Sequence, residues 1–193
     1  MARAKNKISS SNELRIIGGQ WRSRKLSFTP APGLRPTSDR VRETLFNWLS
    51  PVIREATCAD LFTGSGALGL EALSRGARHC DFIDISQPAL KQVSRHLAAL
   101  QAQQCGSCYR GPAEQFLTTN PGPLDIVFID PPFGLGLVEP VCQILSHAPI
   151  LASDSWVYIE TPTSEALPAL PQTWQLYRDK TAGSVAYRLF HII

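Results

Sequence analysis

A ten-residue run, Asp60-Leu-Phe-Thr-Gly-Ser-Gly-Ala-Leu-Gly69, sits between a strand-like and a helix-like apolar stretch and restricts the fold more than any other part of the chain. Gly64, Gly66 and Gly69 give the spacing GxGxxG, which lets a backbone turn sharply from strand into helix and come close to a ligand. Such a turn opens a βα unit, and in an open sheet built of these units ligands bind beyond the carboxyl ends of the strands. The glycines would also serve if they only let the helix pack closely on the strand.

The alternation continues. A strand ends at Asp60 to Phe62, a helix runs from Ala67 to Arg75 and stops at Gly76, and a strand follows from Cys80 to Ile85. The next helix begins near Pro88 with Leu90, Val93, Leu97 and Leu100 in register, and a short strand near Ser107 to Arg110 precedes a buried one from Leu124 to Asp130. A helix over Val141 to His147 leads to a strand over Trp156 to Glu160. Repeated βα units predict an α/β fold with a doubly wound, mostly parallel sheet. Two alternating runs, Trp174 to Lys180 and Ser184 to Ile192, meet across Ala182-Gly183 and predict an antiparallel hairpin on the sheet's edge. Upstream, Thr37, Ser38 and Asp39 offer capping oxygens to a helix whose apolar face is Val41, Leu45, Trp48 and Leu49. With 193 residues, 44% of them hydrophobic, the chain can bury one ordinary core and is expected to fold as a monomer.

Charge is distributed unevenly. Residues 1 to 42 hold ten Lys and Arg against two acids, and the rest nine against fourteen, so the front carries +8 and the remainder −5. Clustered cations of this kind bind polyanions by releasing counterions. Residues 1 to 12 read as a disordered basic tail. From Arg15 to Lys25 the cations alternate with Ile16, Ile17 and Trp21 around Gly18-Gly19, which predicts a basic β-ribbon followed by a proline-rich linker to residue 36. Arg15, Arg22, Arg24, Lys25, Arg35, Arg40 and Arg42 are the candidate phosphate contacts. The catalytic domain is then 37–193. Five cysteines, an odd number and mostly in core-like segments, argue for reduced thiols, and the lone Cys105-x-x-Cys108 lacks the second pair that a structural zinc site needs. No apolar stretch follows the basic start, so neither a secretory signal nor a membrane span is expected, and the cytoplasm is the expected compartment.

Two acids refine the chemistry of the glycine turn. Asp60, directly before the glycines, would repel a pyrophosphate but suit a sulfonium or ammonium cation, while Asp84 at the end of the next strand could take ribose hydroxyls. A sharper signal is Asp130-Pro131-Pro132-Phe133 after the apolar strand Ile126 to Ile129. An exocyclic amine on a base is a poor nucleophile because its lone pair is delocalised, so its methylation needs acceptors that hold the N–H groups. The Asp130 carboxylate and the Pro131 carbonyl fit that need, proline fixes the backbone, and Phe133 offers a ring for stacking. Asp-Pro-Pro is also a plain strand breaker.

Taken together, Arg15-Ile-Ile-Gly-Gly-Gln-Trp-Arg, Leu34-Arg-Pro-Thr-Ser-Asp-Arg-Val-Arg-Glu-Thr-Leu-Phe-Asn-Trp-Leu, the Asp60 turn and Asp130-Pro-Pro-Phe resemble the bacterial 16S rRNA guanine-N2 methyltransferases, a class I S-adenosylmethionine-dependent family with a Rossmann-like fold. The resemblance runs from about residue 14 to the end. The Arg-Pro-Thr-x-Asp-Arg-Val-Arg-Glu block is its narrowest part, since the other motifs occur across many methyltransferases. It implies that Asp60, Phe62, Gly64, Gly66, Gly69, Asp84, Ile85, Ala113 and Glu114 bind S-adenosylmethionine, and that Asp130, Pro131 and Phe133 take a flipped guanine. It also implies 16S rRNA as the partner, free or within a small-subunit particle; from the residues themselves neither a metal nor an obligate protein partner is expected. Two departures from the family pattern stand out. Pro112 and Ala113 occupy the place of an Asp or Asn that meets the adenine, leaving backbone groups and Glu114, and Ser86 replaces a second acid after Asp84.

Three other classes compete. A DNA or protein amide methyltransferase shares the fold and uses a related Asn-Pro-Pro-aromatic motif, but here the first residue is Asp130 and no target-recognition domain is present. An NAD-dependent oxidoreductase explains the glycines alone. A non-catalytic RNA-binding module explains the arm but gives no reason for Asp60, Asp84 and Asp130 at three strand ends.

Overall fold

Apolar strands buried on both faces pair in parallel when each is followed by a helix that carries the chain back. The computed structural model, which describes residues 12–28, 38–119 and 122–193, is built this way. Strand β3 (Thr57–Asp60) leads to α2 (Ala67–Ser74), β4 (His79–Asp84) to α3 (Gln87–Ala99), β5 (Gly106–Arg110) to α4 (Ala113–Thr119), and β6 (Leu124–Ile129) to α5 (Val138–His147). These strands and β7 (Leu151–Pro162) run parallel. The hairpin of β8 (Trp174–Ala182) and β9 (Val185–Ile192) completes the sheet through β9, antiparallel to β7. The order is β5-β4-β3-β6-β7-β9-β8, the mostly parallel α/β sheet with a closing hairpin that the sequence predicts.

Three elements differ from expectation. The helix α4 is absent from the predicted pattern because its seven residues bury only Ala113, Phe116 and Leu117, too little for a helical period to emerge. Strand β7 begins at Leu151 rather than near Trp156, since its opening passes through exposed Ser153 and Asp154 and lacks apolar alternation. Helix α5 starts at Val138, with Pro140 in the first turn, where a missing N–H costs nothing.

Helix α1 (Asp39–Trp48) starts at Ser38, whose Oγ accepts from the Val41 N–H, and packs with α2 and α3 on one face of the sheet. Leu45, Phe46, Leu70, Phe82, Val93 and Phe128 form that core; Ile83, Phe116, Val127, Ile129, Val141 and Leu145 form the other, under α4 and α5. Among the described residues all five cysteines are free, no cluster could hold a metal, and no helix is long and apolar enough to cross a membrane.

The N-terminal ribbon joins the first core. Strands β1 (Asn12–Arg15) and β2 (Lys25–Phe28) pair antiparallel around a 3-10 turn at Gly19–Trp21, burying Leu14, Ile16, Leu26 and Phe28. It is held by Glu71, a fully buried carboxylate inside α2 that accepts from the Ile17 and Gly18 N–H groups, each at 2.8 Å, and from Arg75 Nε at 2.8 Å. A side chain on Gly19, whose φ is +75°, would meet the Ser74 carbonyl at 1.9 Å, so only glycine allows this approach. Arg42, read from the sequence as a phosphate contact, is corrected by the structure: it is 1% exposed and lies 3.7 Å from Glu71. Its guanidinium also donates to Asp39 at 2.6 Å and to the Arg15 carbonyl at 2.9 Å, so it ties α1 to the ribbon and to α2. The tail through residue 11 and the linker 29–37, with the Arg35 assignment and the Thr37 cap, lie outside the described residues.

Removing the shared acceptor would leave the Ile17 and Gly18 N–H groups and the partly buried Arg75 without their partner, and Arg42 with only Asp39 and the Arg15 carbonyl. We expect Glu71→Ala to lower unfolding free energy by about 3–5 kcal/mol in a urea titration, and Glu71→Gln, which keeps one acceptor oxygen, to lose less.

Candidate active site

Strands β4, β3 and β6 are adjacent, and Asp60 lies in register with Phe82 and Phe128. The residues just past the three strand ends therefore converge on one edge, which brings Asp84 and Asp130 to either side of Asp60. Their charges both act on Asp60.

Asp60 is buried, at 2% exposure. Its Oδ2 accepts from the Gly69 N–H and from the Thr63 hydroxyl, each at 3.0 Å, closing the glycine turn onto the strand that precedes it. Burial raises its pKa to about 7; the two hydrogen bonds oppose that rise, and the Asp130 and Asp84 charges add to it. The reason is the cost of a charge away from water, which a nearby cation would offset. A pyrophosphate here would increase the repulsion instead, which disfavours the dinucleotide alternative.

Gly64 and Gly66 have φ of +49° and +81°, and Gly66 starts α2 in the left-handed conformation. The Gly64 N–H donates to Asp84 Oδ2 at 2.9 Å and the Ser86 N–H to Asp84 Oδ1 at 2.7 Å. These bonds orient the carboxylate and leave lone pairs on both oxygens for hydroxyls of a ligand. Ile85, beside it, is 73% exposed, an apolar side chain held out at the sheet edge. Phe62 and Glu114 are half-buried nearby in sequence from the ends of β3 and β5, while Ala113 is buried.

Gly69 has a packing use as well. A side chain there would meet the Phe82 ring at 2.3 Å and the Cys80 sulfur at 2.8 Å, so this glycine permits α2 to pack on β4. The packing use that the sequence left open is thus realised at Gly69, while the positive φ angles fall at Gly64 and Gly66.

Past β6, Asp130 is half-buried, Pro131 buried and Phe133 43% exposed. The chain continues through Gly134 and Gly136, both at positive φ, with Leu135 between them 64% exposed. In the adjacent strand the Tyr158 hydroxyl donates to Glu160 Oε1 at 2.7 Å, both residues buried. Burial first, then Glu160 and Asp130, push the Tyr158 pKa well up, so it stays a neutral donor. Sequence reasoning missed this pair, as it missed Thr63 and Glu71; an acid inside the apolar run Ala67-Leu-Gly-Leu-Glu-Ala-Leu-Ser was the one legible signal.

The proposed cations are dispersed. Arg15 pairs with Asp39 at 2.9 Å and Lys25 with Glu13 at 2.9 Å, all exposed. Arg22 and Arg24 are exposed around the ribbon's turn, which docks on Ser74 and reaches the Ala99 carbonyl at the far ends of α2 and α3. Both helices start at the edge that carries Asp60 and Asp84 and run away from it, so these arginines sit about one length of α3, roughly 20 Å, from that edge. Arg40 is exposed on α1 and lines a groove with the β8–β9 hairpin.

The arrangement matches known proteins along almost the whole chain. The family model described as conserved hypothetical protein 95 matches residues 14–191. The ribosomal RNA small subunit methyltransferase D of Escherichia coli K12 is 49% identical over 182 residues, covering 94% of this chain and 91% of that protein. The protein of the same name from Haemophilus influenzae is 40% identical, covering 94% and 95%. A solved structure of the Escherichia coli protein yhhF superposes with a TM-score of 0.86 at 46% identity, covering 94% of this chain and 98% of that one.

The raised pKa of Asp60 has a measurable sign. Its folded value of about 7 exceeds the ordinary 3.8, so the ligand-free fold binds more protons than the unfolded chain between those values. Its contribution to stability therefore falls as pH rises from about 4 to about 7. Asp60→Asn should remove that slope from a series of denaturant titrations across this range.

Proposed function

We infer that this chain, which belongs to the family described as conserved hypothetical protein 95, transfers a methyl group from S-adenosylmethionine to ribosomal RNA of the small subunit. The observation that carries the reading is the convergence of Asp60, Asp84 and Asp130 on one sheet edge. It occurs in a chain 49% identical to a ribosomal RNA small subunit methyltransferase D. At the finer level we assign the acceptor as N2 of a guanine in 16S rRNA, and the cytoplasm as the place of reaction.

The residues divide the work. Gly64, Gly66 and Phe62 form the cofactor's cradle over the buried Asp60, and Asp84 accepts from ribose hydroxyls with Ile85 against the adenine. Glu114 and the backbone at Ala113 complete the adenine's surroundings at the start of α4. When bound, S-adenosylmethionine would supply a sulfonium-activated methyl carbon, whose bond to sulfur breaks as the amine nitrogen bonds to it, with S-adenosylhomocysteine leaving and the surplus N–H proton passing to the Asp130 carboxylate or to water. Asp130 and the Pro131 carbonyl accept from the amine's N–H groups and Phe133 stacks on the base, so the protein contributes orientation and electrostatics. A stacked base must leave its helix to reach this edge, at a cost of a few kcal/mol that phosphate contacts offset. Arg15, Lys25 and Arg40, with Arg35 of the linker, are the contacts we assign, and Arg22 and Arg24 would serve more distant RNA.

The test is transfer of labelled methyl from S-adenosylmethionine to small-subunit particles lacking the modification, followed by nucleoside analysis. N2-methylguanosine is the expected product; another methylated nucleoside would overturn the finer assignment, and absence of RNA labelling would overturn the substrate class. Asp130→Ala should lower kcat by about 100- to 1000-fold while leaving the affinity for S-adenosylhomocysteine, measured by calorimetry, unchanged. A matching loss of that affinity would overturn the separation of the two pockets.

A further inference from the structure

With the ribbon's turn at the far end of the domain, Arg22 and Arg24 are too remote to hold the nucleotides beside a base at Asp130. The strand register identifies a surface that is close. Ile129 pairs with Ile159, Ile159 with Arg188, and Arg188 with Asp179. One row further along, Asp130 is therefore followed across the sheet by Glu160, Tyr187 and Lys180, and the latter three pair directly. Three strand spacings place the Lys180 backbone roughly 15 Å from that of Asp130 on the same sheet edge.

Here α1 and the β8–β9 hairpin enclose a groove of about 430 Å³. Arg40 and Lys180 line it from its two walls with Thr44 and Thr181, Tyr187 contributes to its lining, and among the described residues no acidic one lines it. Among the described residues no carboxylate pairs with either cation. The neighbouring Asp179 is directed at Arg188, at 3.4 Å. The Lys180 ammonium lies 5.9 Å from the centre of the Trp48 ring, which stacks on Tyr187 with centroids 5.5 Å apart. An aromatic face steadies an ammonium without neutralising it, so both charges remain available to an anion. Of the two, Lys180 belongs to the part of the chain after residue 42, which is acidic overall.

We propose that this groove seats a ribose-phosphate segment of the substrate RNA next to the target nucleotide, with Arg40 and Lys180 on its phosphates. The proposal rests on the rRNA methyltransferase reading above and adds a contact surface from the C-terminal hairpin, Lys180 with Thr181, to that reading. Positive charge facing an open groove in line with the reaction centre is what a polyanion anchored at both places requires.

The experiment compares steady-state methyl transfer to small-subunit particles by the wild type, Lys180→Ala, the double variant Arg40→Ala with Lys180→Ala, and Lys180→Arg. Transfer by the wild type tests the function itself, whereas the ratio between variants and wild type tests the groove. For the double variant we expect KM for the particle to rise about tenfold and the slope of log affinity against log salt to become shallower by roughly one to two. S-adenosylhomocysteine affinity should stay unchanged, and Lys180→Arg should restore most of the KM. Ultraviolet cross-linking of the wild-type complex should attach the peptide carrying Lys180 to rRNA. An active wild type with unchanged KM and salt slope in the double variant would overturn the proposal, as would cross-linking of that peptide to a ribosomal protein alone.

Discussion

One hydrogen-bonded carboxylate organises the functional edge of this protein. Asp60 Oδ2 accepts from the Gly69 N–H and the Thr63 hydroxyl, and so holds the turn between β3 and α2 in the shape in which the Gly64 N–H bonds Asp84. The cost is a buried charge, visible in a pKa raised to about 7. A cation placed beside this carboxylate would offset that cost. The same turn sets the start of α2, and with it everything that docks on α2.

What docks there is the N-terminal ribbon. Glu71 inside α2 holds the Ile17 and Gly18 amides and Arg75, and Arg42 approaches it from α1. A buried ion cluster is weak as a source of stability but strict about geometry, because each member left alone would be costly. It fixes the ribbon's direction along α2 and α3. The exposed arginines at its turn thereby lie away from the edge that carries Asp60, Asp84 and Asp130, whereas Arg40 of α1 and Lys180 of the closing hairpin line a groove.

Much of the framework was legible because it depends on periodicity. The βα alternation, the closing hairpin and the acids at the ends of β3, β4 and β6 all appear in the order of residues. The elements that were not legible lack a repeating apolar signal: α4 is seven residues long and the opening of β7 is polar and exposed. Asp84 ends β4 and Asp130 follows β6, as the pattern of residues expects, while Tyr158 and Glu160 escaped notice because nothing local links a tyrosine to a glutamate two residues on across one face of a buried strand.

Charge by itself was the least reliable guide. Composition showed that cations crowd the first 42 residues, and local pattern made one segment a ribbon. It could not separate Arg42, sealed in the core, from Arg40 two residues earlier on the outside, since a helix turns by about 100° per residue and only packing decides which side faces in. The sequence by itself determined the sheet, the glycine turn and the strand-end acids, because hydrophobic period and glycine chemistry act over a few neighbouring residues. Only the tertiary structure decided that Gly69 serves packing, that Arg42 binds Glu71, and that Lys180 stands in the same row as Asp130, because those facts depend on residues far apart in the chain meeting across strands and helices.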